Sequence, residues 1–335
     1  MKNLKGLFKN KKGQSEVVAV LVLVAVVIVG AIGVGTIMNG FSNQVAQGAS
    51  ADGIQAGAQT ELLTAGSTTL QPLSECLAPI FMRDNKGIKV TVQAGGSGVG
   101  ITSAGMDIVD LGAASEALTT TQKAKWPSLI ENTVGYGAGV FIVSTGCTGI
   151  LNATKAELQT CYNSTSPCTL GTTTTVTAYR RSDSSGTQDT VSIYLFGAKS
   201  GKINSSIAAA ASNQEMLTKI QSASGCAIGF VDHGIAKSAT SITTLNLIDG
   251  AATYLPMGST GTNENMLLAA KDFYAAKSTS TYYPLALVRP LNYITNGNPS
   301  ISESKFIDLA TNKAKASDCF TATGYYGIWD VAATA

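Results

Sequence analysis

The order of hydrophobic and polar positions divides the chain into an apolar N-terminal segment, a polar connector and a long mixed region. From Val17 to Gly35 every residue is apolar or glycine. As a helix this run would span roughly 28 Å, which is close to the thickness of a bilayer core. We therefore expect a hydrophobic anchor helix over residues 14–38. Residues 39–60 are rich in Gly, Ala, Ser and Gln without apolar periodicity, so they are expected to form a flexible linker.

Beyond residue 60, short β-like runs alternate with segments of helical periodicity. Strands are predicted at IKVTVQ (Ile88–Gln93), at GVFIVS (Gly139–Ser144) and at AIGFVD (Ala227–Asp232). Helical spacing of apolar residues is seen in Ser206–Ser222 and Asn263–Lys277. Strands that alternate with helices indicate the α/β class, with a sheet covered on both faces.

The first thirteen residues are basic and contain no acidic side chain. Lysines before an apolar run favour the cytoplasmic side, which places the residues beyond about 40 outside the membrane. The segment KKGQSEVVAVLVLVAVV resembles the class III, prepilin-type signals of archaea. That resemblance implies a leader at residues 1–13, cleavage between Gly13 and Gln14, and retention of the helix on the mature protein. The alternative is an uncleaved anchor.

Composition and charge exclude some functional classes. Charged residues make up only 13% of the chain, which argues against disorder and against a nucleic-acid-binding surface. The formal charge of +2 depends on five lysines in the leader, and the rest of the chain carries −3. A body of this charge must bind an anion through local donors and not through a basic surface.

The six cysteines predict disulfides in an exported protein. They include no CxxC pair and are accompanied by one histidine, so we expect no metal site and no enzymatic activity. Cys161 and Cys168 flank a turn-rich segment and are the predicted pair, while the other connectivities stay open. Three N-glycosylation sequons, which also arise often by chance, fit an extracellular location and begin at Asn152, Asn163 and Asn204.

Three segments share the order of strand, Ser/Thr/Gly turn and helix start: Leu62–Pro72, Val90–Ile101 and Thr177–Phe196. The first N–H groups of a helix lack intrahelical partners and carry partial positive charge, so such turns can hold an anion. The alternative is that serine and threonine only cap the helices. The third segment contains RRSDSSGT, in which an arginine can bind an oxyanion bidentately at any physiological pH.

Six blocks occur in the order found in the phosphate-binding proteins of ABC phosphate importers, and this chain resembles that family from Leu62 to Ala310. The blocks are AGSTTLQPL, VQAGGSGVGI, DIVDLGAASEAL, RRSDSSGTQDTVSIYL, CAIGFVDHGIA and YPLALVRPLNYITNGNPS. The resemblance implies a two-lobed type II periplasmic-binding-protein fold without a cofactor. It assigns residues 61–139 and 232–335 to lobe I and residues 140–231 to lobe II, joined by two strands that cross near Val140–Val143 and Ile228–Val231.

The resemblance also implies a set of ligand contacts. Arg181 would be the charged clamp, and Asp183 would orient its guanidinium. Hydroxyl and backbone donors would come from Ser67, Thr68, Thr69, Ser97, Ser115, Ser185, Gly186 and Thr187.

Ser115 departs from the pattern of phosphate-selective members. They place an aspartate at this position, which accepts the proton that phosphate still carries at neutral pH and repels fully ionised sulfate. A serine can also accept that proton, but it gives a weaker argument for phosphate over another tetrahedral oxyanion.

These observations predict a solute-binding protein anchored on the extracellular face of the membrane. It would capture phosphate or a similar oxyanion between two lobes and deliver it to an ABC importer permease. The alternative is a pilin-like subunit whose apolar helix packs with others in a filament or surface array, and which carries a phosphate-binding type of domain.

Overall fold

The computed structural model describes residues 60–164, 167–171, 174–182, 185–199, 202–256 and 264–332. The predicted leader and anchor helix lie outside these residues, as do Asp183 and the predicted linker except for Thr60, which begins a strand. Within the described ranges, no helix has the length and apolar character needed to cross a membrane.

The described residues form the predicted α/β architecture, arranged as two lobes around mixed sheets. The strands are β1 Thr60–Gly66, β2 Ile88–Ala94, β3 Leu111–Ala114, β4 Leu129–Ser144, β5 Asn152–Thr154, β6 Cys168–Leu170, β7 Thr174–Arg181, β8 Ala208–Ala210, β9 Ala227–Asp232, β10 Ile242–Thr244, β11 Asn246–Asp249, β12 Ala252–Tyr254, β13 Val288–Asn296 and β14 Tyr326–Gly327. The helices are α1 Gln71–Asp84, α2 Ser97–Gly105, α3 Thr120–Lys125, α4 Lys155–Asn163, α5 Gly186–Phe196, α6 Asn213–Gln221, α7 His233–Ser238, α8 Glu264–Tyr274, α9 Ile301–Thr311, α10 Lys313–Thr323 and α11 Ile328–Ala332.

The main sheet has the strand order β2-β1-β3-β13-β4-β9-β7-β6, and β8, β10 and β14 pair beside this path. A smaller sheet has the order β12-β11-β5. Strand β1 is parallel to β2 and β3, and β7 is parallel to β8 and β9. The chain therefore contains two groups of parallel strands, separated in the sheet by the antiparallel strands β13 and β4.

Strand β4 connects the two groups. It pairs with β13 over Leu129–Ala138 and with β9 over Gly139–Val143. The segments that the resemblance assigns to the crossings pair with each other, with Val140 opposite Val231 and Val143 opposite Ile228. The lobe boundaries themselves remain a prediction.

Each group of parallel strands has its own apolar core. One core contains Leu62 of β1 with Phe81 and Phe306 from helices, and the other contains Phe141 of β4, Val176 of β7 and Phe230 of β9. These packed cores hold the carboxyl ends of the parallel strands in fixed positions.

One element was predicted wrongly. The sequence pattern indicates a helix over Ser206–Ser222, but Ala208–Ala210 form strand β8, and the helix begins only at Asn213. Pairing with Tyr179–Arg181 of β7 outweighs the helical propensity of alanine, and the Ser212 side chain caps the helix by accepting from Glu215 N.

Three disulfides join the described cysteines: Cys76–Cys319, Cys147–Cys226 and Cys161–Cys168. The predicted Cys161–Cys168 pair is confirmed.

Candidate functional site

Two of the three candidate turns meet the end of β3 at one edge of the sheet. Because β1, β2 and β3 are parallel, their carboxyl ends lie side by side, and each end leads into a serine: Ser67, Ser97 and Ser115. The hydroxyl of Ser67 donates to Ser115 Oγ at 3.0 Å, and the Ser97 and Ser115 oxygens are 3.2 Å apart. We call Ser67, Ser97 and Ser115 the serine group.

Glycines allow this close approach. A methyl group added at Gly66 would lie 2.3 Å from the carbonyl oxygen of Ala113, and φ is +136° there. A methyl group added at Gly100 would lie 2.3 Å from the same oxygen. Only glycine at these positions lets helix α2 pack directly against β1 and β3, which brings Ser97 to Ser115.

The second group of parallel strands delivers a second set of residues. Arg181 ends β7, Asn213 follows β8 and Asp232 ends β9, and all three side chains are fully buried. Helix α5 begins at Gly186, directly after Ser185. The Ser185 hydroxyl accepts from Gln188 N at 3.3 Å, so this serine caps its helix as the alternative interpretation proposed.

Gly186 brings the two sets together. A methyl group added there would lie 2.7 Å from Ser97 Oγ and 3.0 Å from the Ser115 carbonyl oxygen. The N-terminus of α5 therefore faces the serine group, and Thr187 in its first turn is 1% exposed.

Arg181 reaches across to the first turn. Its Nη2 donates to Thr68 Oγ1 at 2.9 Å, and its Nη1 donates to Asn213 Oδ1 at 2.8 Å. The guanidinium is fully buried, which costs free energy unless polar partners surround it. The predicted orienting role of Asp183 falls outside the described residues.

The structure thus brings Ser67, Thr68, Thr69, Ser97, Ser115, Arg181 and Gly186 into one linked arrangement of side chains and backbone. Whether these residues hold a ligand remains a prediction.

Sequence reasoning missed three residues at this site. Asn213 Nδ2 donates to Thr69 Oγ1 at 3.0 Å, and Arg289 Nη2 donates to the same oxygen at 3.1 Å. Arg289 is also paired with Asp232, to which its Nη2 donates at 2.5 Å and its Nε at 3.1 Å. The available signals were the helix-capping pattern before Asn213 and the arginine within the block YPLALVRPLNYITNGNPS, neither of which identifies a spatial neighbour.

The local field favours an anion. Helices α1, α2, α5 and α6 all begin within a few residues of the site, so their positive N-terminal ends point toward it. Burial raises the pKa of the nearby Tyr325 phenol well above its ordinary value, and Asp232 raises it further, whereas Arg289 lowers it. Tyr325 is therefore neutral and adds no negative charge.

The arrangement offers hydroxyl, backbone and guanidinium donors from residues that are buried from water. Low local polarity strengthens each hydrogen bond made to a ligand there. Among the residues that the structure describes, no group of three or more His, Cys, Asp or Glu side chains could hold a metal ion. Donors of these kinds can bind a small anion.

Solved structures share the architecture. A structure with bound phosphate from Clostridium perfringens, assigned as a phosphate ABC transporter substrate-binding protein, is 17% identical, with a TM-score of 0.60, and the match covers 80% of this chain and 100% of that one. An ABC-type phosphate transport receptor from Vibrio cholerae is 19% identical, with a TM-score of 0.57 and coverage of 79% and 99%. A protein from Planctomyces limnophilus, described as a possible phosphate binding protein, is 18% identical, with a TM-score of 0.51 and coverage of 81% and 94%.

At these identities the likeness shows the fold alone. Comparison with curated proteins gives no match. The model of the PBP superfamily domain matches residues 52–313, which is most of the sequence. The chain therefore belongs to the family of PBP superfamily domains.

Proposed function

We propose that the protein captures phosphate between its two lobes and delivers it to an ABC importer permease. The observation that carries the proposal is the convergence of Arg181, the serine group and the N-terminus of α5 on one buried position. A tetrahedral oxyanion needs donors from several directions, and this arrangement supplies them from both groups of parallel strands. The phosphate-related structures described above support the same ligand class.

Calorimetry of the full-length chain in detergent, titrated with phosphate and with sulfate, tests the proposal. Saturable binding of phosphate at a ratio of one is expected. Arg181→Ala should lower the affinity by more than about 100-fold, because it removes the only charged donor assigned to the ligand and a bidentate pair contributes several kcal/mol.

Arg180→Ala is the matched control. Its guanidinium donates to the backbone carbonyls of Ile207, Arg181 and Ser205, and the proposal assigns it no contact with the ligand. Phosphate affinity should stay within a few-fold of the wild type. Equal losses of phosphate affinity in the two variants would contradict the assignment of Arg181 as the charged clamp.

The surface location rests on the sequence. The basic leader and the apolar run Val17–Gly35 support an anchor that leaves the binding domain outside the cell. Fractionation of cells should recover the chain with membranes, and a protease added to intact cells should digest the binding domain.

The pilin-like alternative is favoured by one observation, the prepilin-type segment before the apolar run. Electron microscopy of shed surface material distinguishes the two functions. Filaments labelled by an antibody against this chain would support assembly, whereas their absence would leave an anchored receptor.

A further inference from the structure

The hydroxyl groups of Thr68 and Thr69 are both hydrogen-bond acceptors in this structure. Thr68 Oγ1 accepts from Arg181 Nη2 at 2.9 Å and from Asn213 Nδ2 at 3.4 Å. Thr69 Oγ1 accepts from Asn213 Nδ2 at 3.0 Å and from Arg289 Nη2 at 3.1 Å. Each oxygen therefore has two donors directed at it.

The orientation of the Asn213 amide follows from its neighbour. A guanidinium has only donors, so the atom that faces Arg181 Nη1 at 2.8 Å must be the amide oxygen. The NH2 group then faces the two threonines and cannot accept from them. The direction of these bonds is fixed by chemistry.

A hydroxyl has two lone pairs and one proton. In Thr69 both lone pairs are engaged, and in Thr68 the second bond is longer but has the same direction. Neither hydroxyl finds an acceptor within the described residues. The proton of each is therefore left for an acceptor that enters the site.

The serine group differs in this respect. Between Ser97 and Ser115 either oxygen can be the donor, because both partners are hydroxyls. A serine hydroxyl can accept a hydrogen bond from the ligand or donate one to it. The threonine side of the site is thus committed to donation, while the serine side can adapt.

We propose that Asn213 and Arg289 are positioning residues that commit the Thr68 and Thr69 hydroxyls to donate to the bound oxyanion. This inference rests on the proposed function. Asp232 contributes by holding Arg289: it accepts from both Nε and Nη2 and keeps the guanidinium against Thr69. The threonine hydroxyls can then only donate to ligand oxygens, and the proton of a protonated phosphate oxygen must be accepted by the serine group.

A double-mutant cycle tests whether Arg289 acts through the Thr69 hydroxyl. The variants are Thr69→Val, Arg289→Lys and the combination, each titrated with inorganic phosphate as full-length chain in detergent. Lysine keeps the charge opposite Asp232, but its ammonium ends about one bond short of the Arg289 Nη2 position.

Thr69→Val should lower phosphate affinity ~10-fold or more, as expected for a lost bond to a charged group. Arg289→Lys should lower it ~10-fold in the wild type but less than ~2-fold in the Thr69→Val background, because the hydroxyl it orients is already gone. Thr69→Ser, which keeps the hydroxyl, should restore most of the affinity. Costs that simply add in the double variant would overturn the inference.

Thr311→Val is the matched control, since its hydroxyl donates to Ile307 O within its own helix. If Arg289→Lys melts before it can be titrated, the neutral pair Asp232→Asn with Arg289→Gln replaces it in the cycle with the same expected coupling. Absence of phosphate binding by the wild type would overturn the proposed function and this inference with it. Binding by the wild type with additive costs would overturn the inference alone.

Discussion

At the scale of single residues, we expect Ser115 to determine how the proposed site treats the proton of a phosphate ligand. Its oxygen lies within 3.2 Å of both Ser67 Oγ and Ser97 Oγ, so these hydroxyls could stabilise a carboxylate at position 115. Ser115→Asp should raise the ratio of phosphate to sulfate affinity at least ~10-fold, because the carboxylate accepts the phosphate proton and repels the fully ionised sulfate. Calorimetry with both anions at one pH measures this ratio.

Ser115→Asn serves as the control, since it has the size of aspartate without the charge. It should change the two affinities by similar factors. A ratio that rises equally in both variants would show that size, and not charge, discriminates between the anions.

The sequence identified some site residues and missed others for a physical reason. Ser67, Ser97 and Gly186 stand in turns between a strand and a helix, and this local order can be read along the chain. Arg289 lies on β13, more than 200 positions after Thr69, and their contact depends on how β13 inserts between β3 and β4. Contacts made by tertiary pairing leave no local pattern.

At the scale of secondary structure, the same distinction explains what was predicted. Strand β2 was predicted from a β-like run that ends at a Gly/Ser turn and β9 from a short apolar run, and the structure confirms both. Ala208–Ala210 has the composition of a helix and forms a strand only because β7 offers a pairing edge. Intrinsic helix propensity determines the secondary structure of a segment only where no neighbouring strand competes for its backbone hydrogen bonds.

The position of Ser97 depends on how helix α2 packs against the sheet, and Gly100 controls that packing. Gly100→Ala would place a methyl group 2.3 Å from Ala113 O and 2.8 Å from Ala65 O. Both contacts are backbone atoms that cannot rotate away, so the helix must move. We expect the free energy of unfolding to fall by about 1–3 kcal/mol and phosphate affinity to fall with it.

Denaturant unfolding and calorimetry on the same preparation measure the two effects. Gly225→Ala is the control, because a methyl group there meets no atom within 4 Å. Unchanged phosphate affinity in a destabilised Gly100→Ala variant would show that Ser97 does not need this helix position.

At the scale of the whole molecule, the disulfides differ in how much chain they constrain. Cys76–Cys319 joins residues 243 positions apart, whereas Cys161–Cys168 joins residues only 7 apart. Loop-closure entropy predicts a contribution of about 5.5 kcal/mol for the first and about 2.4 kcal/mol for the second. Replacing both cysteines of a pair by alanine should therefore lower Tm by several degrees more for Cys76–Cys319, as calorimetric melting can show. Equal losses would indicate that local strain relief or residual structure outweighs the entropy of the unfolded chain.

Under the proposed function, we expect closure over the ligand to depend on contacts between the two groups of strands. Glu116, which follows β3 and Ser115, pairs with Lys199, which follows α5, and Lys199 Nζ also lies 3.8 Å from Asp189 Oδ2. The Glu116 side chain is only 9% exposed, so water screens this pair less than a surface pair.

Lys199→Met should raise the phosphate dissociation rate ~3-fold or more while the association rate changes little, because the pair forms only as the two sides meet. Stopped-flow measurement of phosphate release tests this, with Lys219→Met as the control, since Lys219 pairs with Glu215 on the same helix at 3.3 Å. If the two variants release phosphate equally fast, the Glu116–Lys199 pair does not hold the closed form.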